Sequence, residues 1–321
     1  MASFETTTVA YNPLCYQLVY FELANAHPWT LIIFALIYTM LAIVGIFLNL
    51  SVVYVTIRTK SMNKSTNKLL AIYSFFEIVH QFGHFLFTYS VISGQYLMPY
   101  KIVIRIITPS IFAVCCTTFL LFFTSIDRLF YVIFPLKQPP NVLFYVAASL
   151  FIGFLNVFSI YAKSCDSEDE TLVTGTMNDI GMIYQCTNSP EFIWPTIINV
   201  ILLTTIVLYA VVAFYSSRKS QSNSNAHQIN IRIFQTLFVI VSVNIGGYLL
   251  KFIEILILIP MLANDIMALW KLNQIFGILL NISAASNAPI LYFTSKDYRK
   301  AFDKEWQLII KLFNKNSVQP Y

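Results

Sequence analysis

An all-α bundle of seven membrane-spanning helices is the fold the sequence predicts, on three observations. The 321 residues are 57% hydrophobic and only 11% charged, with a mean hydropathy of +0.68, whereas a soluble domain carries roughly 25% charged residues. Seven apolar stretches reach the roughly 20 residues that cross a bilayer core. Lys and Arg gather on alternate connections between those stretches, the bias that orients membrane helices. So small a charged stock cannot coat a water-exposed surface, and lipid is part of this chain's solvent.

The spans fall at 29–57, 69–92, 103–133, 141–162, 191–215, 233–260 and 267–293. The first is uninterrupted. The segment before Trp29 lacks both a basic n-region and a compact apolar core ahead of a small-residue site, so span one serves as the insertion signal. Span two is interrupted by Glu77, His80, Gln81 and His84. Span three runs to Asp127 and Arg128, and Pro135 ends its helix. Span four is followed by an acidic connection, "KSCDSEDETLVTGTMNDIGMIYQC". Span five is apolar, span six carries Gly246–Gly247, Lys251 and Glu254, and span seven carries Asn287 and Pro289. There is no internal repeat. The expected organisation is an extracellular segment at 1–28, the bundle at 29–293 and a cytoplasmic tail at 294–321.

With the amino terminus outside, 15 of the 20 basic residues fall on the cytoplasmic side, leaving Lys101, Arg105, Lys163, Lys251 and Lys271. The net charge of +5 is therefore a topology signal and implies no nucleic-acid partner. In the tail, Phe302, Trp306, Leu308, Ile309, Leu312 and Phe313 alternate with lysines, the pattern of a short amphipathic helix on an anionic membrane surface.

"TSIDRLFYVIFP" sets Asp127 and Arg128 side by side at the end of a greasy helix. Ionisable residues at membrane depth cost about 2.5–3.5 kcal/mol each on insertion scales and usually mark a working site. The plainer reading is a stop-transfer anchor. "DRLFYVIFP" resembles the DRY-type box and following proline of rhodopsin-like G-protein-coupled receptors. "GIFLNLSVV" is similar to the family's span-one element, with Asn49 as its buried asparagine. "NKLLAIYSFFE" puts Glu77 where the family usually has aspartate, and "NAPILYFTSKDYRKAF" resembles the span-seven NPxxY element, with Pro289 and Tyr292 in register. "YFTSKDYRKAF", "STNKLLAIYSFFE" and a short third inner loop look most like the nematode serpentine chemoreceptors of the Srsx class. A neuropeptide receptor of the same superfamily is the alternative.

This resemblance implies a plasma-membrane receptor for an extracellular small molecule or peptide, with a heterotrimeric G protein as partner. Asp127, Arg128, Pro135, Pro289 and Tyr292 would form the coupling switch, with Tyr209 or Tyr215 supporting the open state. Asn49, Glu77, Thr117 and Asn287 would form a polar core holding sodium or water. The sequence also departs from the family. Span six lacks the tryptophan-x-proline switch, leaving Gly246–Gly247 and Tyr248, and paired glycines are a known cause of bending. Ala288 precedes the span-seven proline, and Val103 stands where the usual span-three cysteine would be.

The usual outer disulfide therefore cannot form in its register. Cys15, Cys165 and Cys186 all lie outside, where disulfides persist, and three pairings are open. Cys165–Cys186 is the expected one. It would close the acidic loop on itself, gaining about 3 kcal/mol by the chain-entropy model. Cys115 and Cys116 are mid-span and expected to be reduced.

Ile282 stands where a retinal-binding lysine would be, and Ser110 where an amine-binding aspartate would be, so neither ligand type fits. Lys251 and Glu254 are one turn apart and able to pair. They are read either as an internal salt bridge or as ligand contacts, with Arg105, Ser110, Trp194 and Tyr248 lining the same outer cavity. Glu77, His80, Gln81 and His84 share one helix face. His-x-x-x-His has metal-ligand spacing, but no further ligands cluster with it, so a bundle-facing polar stripe is expected and no metal or cofactor. A transporter would show a lined path and often repeated halves. An enzyme would need an acid–histidine–nucleophile set, and neither feature is present.

Overall fold

The structure is a computed structural model. It describes residues 23, 25, 28–63, 65–134, 141–164, 172–179, 193–219, 239, 242–251, 253–254, 257, 261–262 and 265–316. Its helices are α1 (Pro28–Arg58), α2 (Ser65–Phe82), α3 (His84–Ile92), α4 (Tyr100–Ile133), α5 (Val142–Ser164), α6 (Ile193–Lys219), α7 (Ile266–Ala285), α8 (Asn287–Thr294) and α9 (Lys296–Asn316). A further helical stretch covers 242–251. Two short strands, β1 (Met98–Pro99) and β2 (Leu172–Val173), pair antiparallel with Met98 opposite Val173.

Helices dominate because a chain in lipid must satisfy its backbone polar groups internally. Among the described residues, four helices are long and apolar enough to cross a membrane, with α2 and α3 read as one; a fifth is added if α7 and α8, bent by 44° to each other, form one span. A shorter apolar helix covers Ile197–Val212 within α6. The predicted second span is interrupted at Gly83, where a β-carbon would lie 2.5 Å from the Ser110 hydroxyl and 3.0 Å from the Met177 sulfur. The predicted seventh is bent at Ser286, which separates α7 from α8.

The 34-residue α4 is the central helix, packing against α2, α5 and α6, while α1 packs against α2, α3 and α7. Outer faces are apolar. On α1, Trp29, Ile33, Leu36, Met40 and Phe47 are exposed, and on α5 so are Leu143, Phe144, Phe151, Phe154 and Phe158. That pattern is the inverse of a soluble helix and is what a lipid-facing surface requires. The interior carries buried polar residues, among them Asn49, Glu77, Gln81, Thr117, Asn244, Gln274 and Asn287. Helix α9 is docked on α1 by Arg58–Glu305 at 3.1 Å and by a Thr56–Tyr298 hydroxyl pair at 3.0 Å. Burial pushes the Tyr298 phenol up to about 12, against the opposing bond from Thr56, so that contact stays neutral through the physiological range.

Candidate functional site

Two polar clusters stand at opposite ends of the bundle, with a polar column between them. One end bears β1 and β2; the other bears Arg128.

At the strand end, residues 174–179 fold back into the bundle. Gly175 has φ +85°, a left-handed conformation that glycine adopts without a Cβ penalty. A β-carbon there would also meet the Met98 methyl at 2.9 Å. The turn that follows is closed by Asp179, whose Oδ2 accepts from the Thr174 backbone N–H at 3.0 Å and from the Thr174 hydroxyl. The Asp179 N–H donates to the Thr176 hydroxyl at 3.1 Å, and Trp270 Nε1 on α7 donates to Asp179 Oδ1 at 3.3 Å. Asp179 and Trp270 are both fully buried. Beside them, Asn178 Nδ2 donates to the Tyr38 hydroxyl at 2.7 Å, and to the Asn273 carbonyl and Gln274 Oε1 at 3.3 Å each.

Lys251 and Glu254 do pair, at 2.8 Å, with Glu254 wholly buried. Lys251 Nζ also bonds Asn273 Oδ1 and, at 3.4 Å, the Asn273 carbonyl, and it lies within electrostatic reach of Asp179. The other expected pocket residues divide. Ser110 is buried beside Gly83 and Met177 and donates to the Val79 carbonyl at 3.1 Å. Tyr248 sits deeper, beside Thr117 and Thr118. Arg105 is exposed on α4, which corrects its assignment to the cavity. Its neighbours Val103, Ile104 and Ile107 are fully buried and define the inward face, so position 105 turns away and its long side chain can reach the interface. Trp194 lies in α6, but its side chain is outside the described ones; Cys165 and Cys186 are outside the described residues. Cys115 and Cys116 are buried and free.

Burial pushes the Asp179 carboxyl above its usual 3.8, opposed by the donors from Thr174, Thr176 and Trp270. A carboxyl raised by folding stabilises most when protonated. Its contribution is full below 3.8 and is lost as pH rises through the raised value. Backbone exchange of residues 172–179, corrected for intrinsic rate, is therefore expected to quicken as pH climbs from 3.8 toward neutrality. A flat profile, or protection that grows with pH, would contradict a buried Asp179.

The column begins at Tyr38, whose ring stacks on His84 at 5.0 Å. His84 contacts His80 at 5.4 Å between ring centres, and His80 Nδ1 lies 3.0 Å from Glu77 Oε2. The Tyr73 hydroxyl lies beside Glu77 and donates to Asn244 Oδ1 at 2.9 Å. Asn244 Nδ2 donates to Asn287 Oδ1 at 3.0 Å, and Asn287 Nδ2 to Asn49 Oδ1 at 2.9 Å. Asn49 Nδ2 reaches the Ala284 carbonyl at 3.1 Å. Asn49 and Asn287 are thus brought together, and Glu77 joins them through Tyr73. Thr117 instead bonds the Val114 carbonyl of its own helix at 2.8 Å and abuts Tyr248. A threonine can donate to the preceding turn and still accept, so Thr117 meets the column through Tyr248, which lies within electrostatic reach of Glu77. Among the described residues no His, Cys, Asp and Glu group has the arrangement to hold a metal.

At the other end, Asp127 is fully buried, 2.5 Å from Arg128 Nη2, and accepts from the Ser65 hydroxyl of α2 at 3.2 Å. Tyr209 on α6 is buried within electrostatic reach of both charges; the Tyr215 side chain is outside the described ones, and Pro135 is outside the described residues. Tyr292 makes contacts with α9. Its hydroxyl donates to Asp303 at 3.1 Å and Arg299 lies 5.6 Å from its ring centre, both on α9, while Pro289 is partly buried in α8. A crevice of about 850 Å³ lies between α1, α2 and Val142 of α5, with Lys60, Lys68 and Phe75 in its lining.

Sequence reasoning passed over Tyr38, Tyr73, Asn178, Asp179, Asn244, Trp270, Asn273 and Gln274. The adjacent amides Asn273–Gln274 inside an apolar stretch were the available signal; nothing local marked Asn178 within its acidic loop. A family model described as serpentine type 7TM GPCR chemoreceptor Srsx matches residues 42–306, from the middle of α1 into α9. Comparison with individual curated proteins gave no match.

Proposed function

Because this chain belongs to the Srsx family of serpentine seven-transmembrane chemoreceptors, we propose that it is a plasma-membrane chemosensory receptor. In this reading the strand end faces outside and takes the ligand, and the Arg128 end faces the cytoplasm and engages a heterotrimeric G protein. The count of seven spans, the outside amino terminus at 1–28, the bundle at 29–293 and the tail at 294–321 belong to the same proposal. Helix α9, with Trp306 and Ile310 exposed among its lysines, rests on the anionic inner leaflet.

The observation that carries the reading is the masked guanidinium. Arg128 is held by a fully buried Asp127, which Ser65 of a neighbouring helix also grips. A bundle that opened at this end would free Arg128 beside Tyr209 and expose a groove able to take a helix from the G-protein α-subunit. A ligand drives that opening only by binding the open arrangement better than the closed one. The small-molecule ligand follows from the family; a peptide remains an outcome of the screen.

The test is nucleotide exchange in membranes holding the full chain at matched surface expression. Asp127→Asn removes a charge-assisted bond worth about 1.5–3 kcal/mol and is expected to raise agonist-independent exchange about tenfold. Arg128→Ala is expected to abolish exchange. If no Gα responds to any small-molecule or peptide pool and both variants match wild type, the receptor mechanism fails.

A further inference from the structure

The polar niche under the strand end has a chemistry of its own, and it is already filled. Three acceptors converge on one nitrogen, Asn178 Nδ2: the Tyr38 hydroxyl, the Asn273 carbonyl and Gln274 Oε1. The Tyr38 hydrogen is committed to the Gln274 carbonyl at 2.9 Å, so toward Asn178 the phenol oxygen can only accept. The niche exists because residue 277 is glycine. A β-carbon there would sit 2.1 Å from Asn178 Nδ2 and 2.2 Å from the Tyr38 oxygen, so neither side-chain end could keep its place beside one. A second observation is independent of the loop: Gln274 is fully buried, and its Nε2 has no hydrogen-bond partner. Asn178 thus uses the acceptor half of the Gln274 amide and leaves the donor half idle.

We propose that the niche formed by Tyr38, Asn273, Gln274 and Gly277 is a subsite for a neutral primary carboxamide, and that Asn178 on the folded-back loop is its tethered competitor. A free carboxamide can place its NH₂ on the three acceptors and its C=O on Gln274 Nε2, satisfying a donor that Asn178 leaves unmet. A carboxylate would face three acceptors with no hydrogen to offer. An ammonium ion would sit beside Lys251, which already shares the Asn273 carbonyl. Entry of a carboxamide releases Asn178 and with it the loop closed by Asp179. The proposal rests on the receptor reading only in treating the strand end as the ligand side.

The test uses the purified full chain and two small probes, propionamide and N,N-dimethylpropionamide. The second keeps the carbonyl and lacks both N–H groups. In wild type, saturating propionamide is expected to speed hydrogen exchange of residues 172–179 about tenfold, the equivalent of one to two hydrogen bonds lost by the loop, while the dimethyl form leaves it unchanged. Asn178→Ala empties the niche, and propionamide is expected to bind that variant about tenfold more tightly than wild type, read as a rise in melting temperature. Gly277→Ala fills the niche and is expected to remove the response. Equal effects of the two probes, or no effect of propionamide on wild-type exchange, would overturn the proposal. The wild-type comparison decides the matter even if Asn178→Ala does not fold. Neither readout involves a G protein. Selective amide binding without nucleotide exchange would keep the niche and remove the receptor mechanism, and exchange without selective amide binding would do the reverse.

Discussion

Arg128→Ala is expected to destabilise the folded protein by about 3 kcal/mol, because it leaves a buried charge behind. Asp127 is fully buried, and its carboxylate is satisfied by the Arg128 guanidinium at 2.5 Å and by the Ser65 hydroxyl at 3.2 Å. Removing one partner of a buried pair costs about 3–5 kcal/mol. The lower end applies here, because the Arg128 side chain is 13% exposed and water can approach the vacated place. That is roughly a hundredfold in the ratio of folded to unfolded protein. Cys115 and Cys116, buried and free in the middle of α4, supply the reporter: a thiol-reactive dye labels them only as the bundle opens on heating. Asp127→Asn in the Arg128→Ala background removes the stranded charge and is expected to recover most of the loss. A single variant that melts with wild type, with no gain in the double, would mean that the pair does not hold this end together.

The second large effect is at Asn287, where three hydrogen bonds meet. Its Nδ2 serves Asn49 Oδ1 and the Ala284 carbonyl at 2.9 and 3.2 Å, and its Oδ1 takes the Asn244 amide at 3.0 Å. Interhelical bonds in membranes average only about 0.6 kcal/mol. Asn287→Leu, however, also strips Asn49 Oδ1 of its donor, and an orphaned buried acceptor costs about 1–3 kcal/mol. The expected total is about 2–3 kcal/mol, read as a lower midpoint in the same melting assay. Asn287→Asp separates the causes: a carboxylate can still accept from Asn244 but cannot donate to Asn49. If both variants melt with wild type, the asparagine network contributes nothing to stability. If only Asn287→Leu is weakened, the bond to Asn49 is dispensable.

Much of the bundle was legible because membrane helices are largely local objects. Stretches read at 29–57 and 141–162 became Pro28–Arg58 and Val142–Ser164, since an apolar run in lipid closes its own backbone hydrogen bonds wherever it lies. The pairing of Lys251 with Glu254 was legible for the same reason, three residues apart on one helix. Arg105 was misassigned because a span's rotation is set by what packs on it, and only Val103, Ile104 and Ile107 buried together define the inward face. At Gly83 the close approach of Ser110 of α4 and Met177 of the loop leaves no room for a β-carbon, whereas the bend at Ser286 has a local cause in Pro289, three residues on.

By itself, then, the sequence determined that this chain lives in lipid, where its apolar helices run, which connections are basic and which family motifs it carries. All of these depend on composition and on spacing within one segment. Only the tertiary structure decided that Asn178 seats against Tyr38, Asn273 and Gln274, that Asp179 caps Trp270, and that Asn49, Asn244 and Asn287 share one network. Those contacts join residues from 43 to 238 positions apart. Each depends on how a helix is rotated or how a loop folds back, and no local pattern of side chains encodes either.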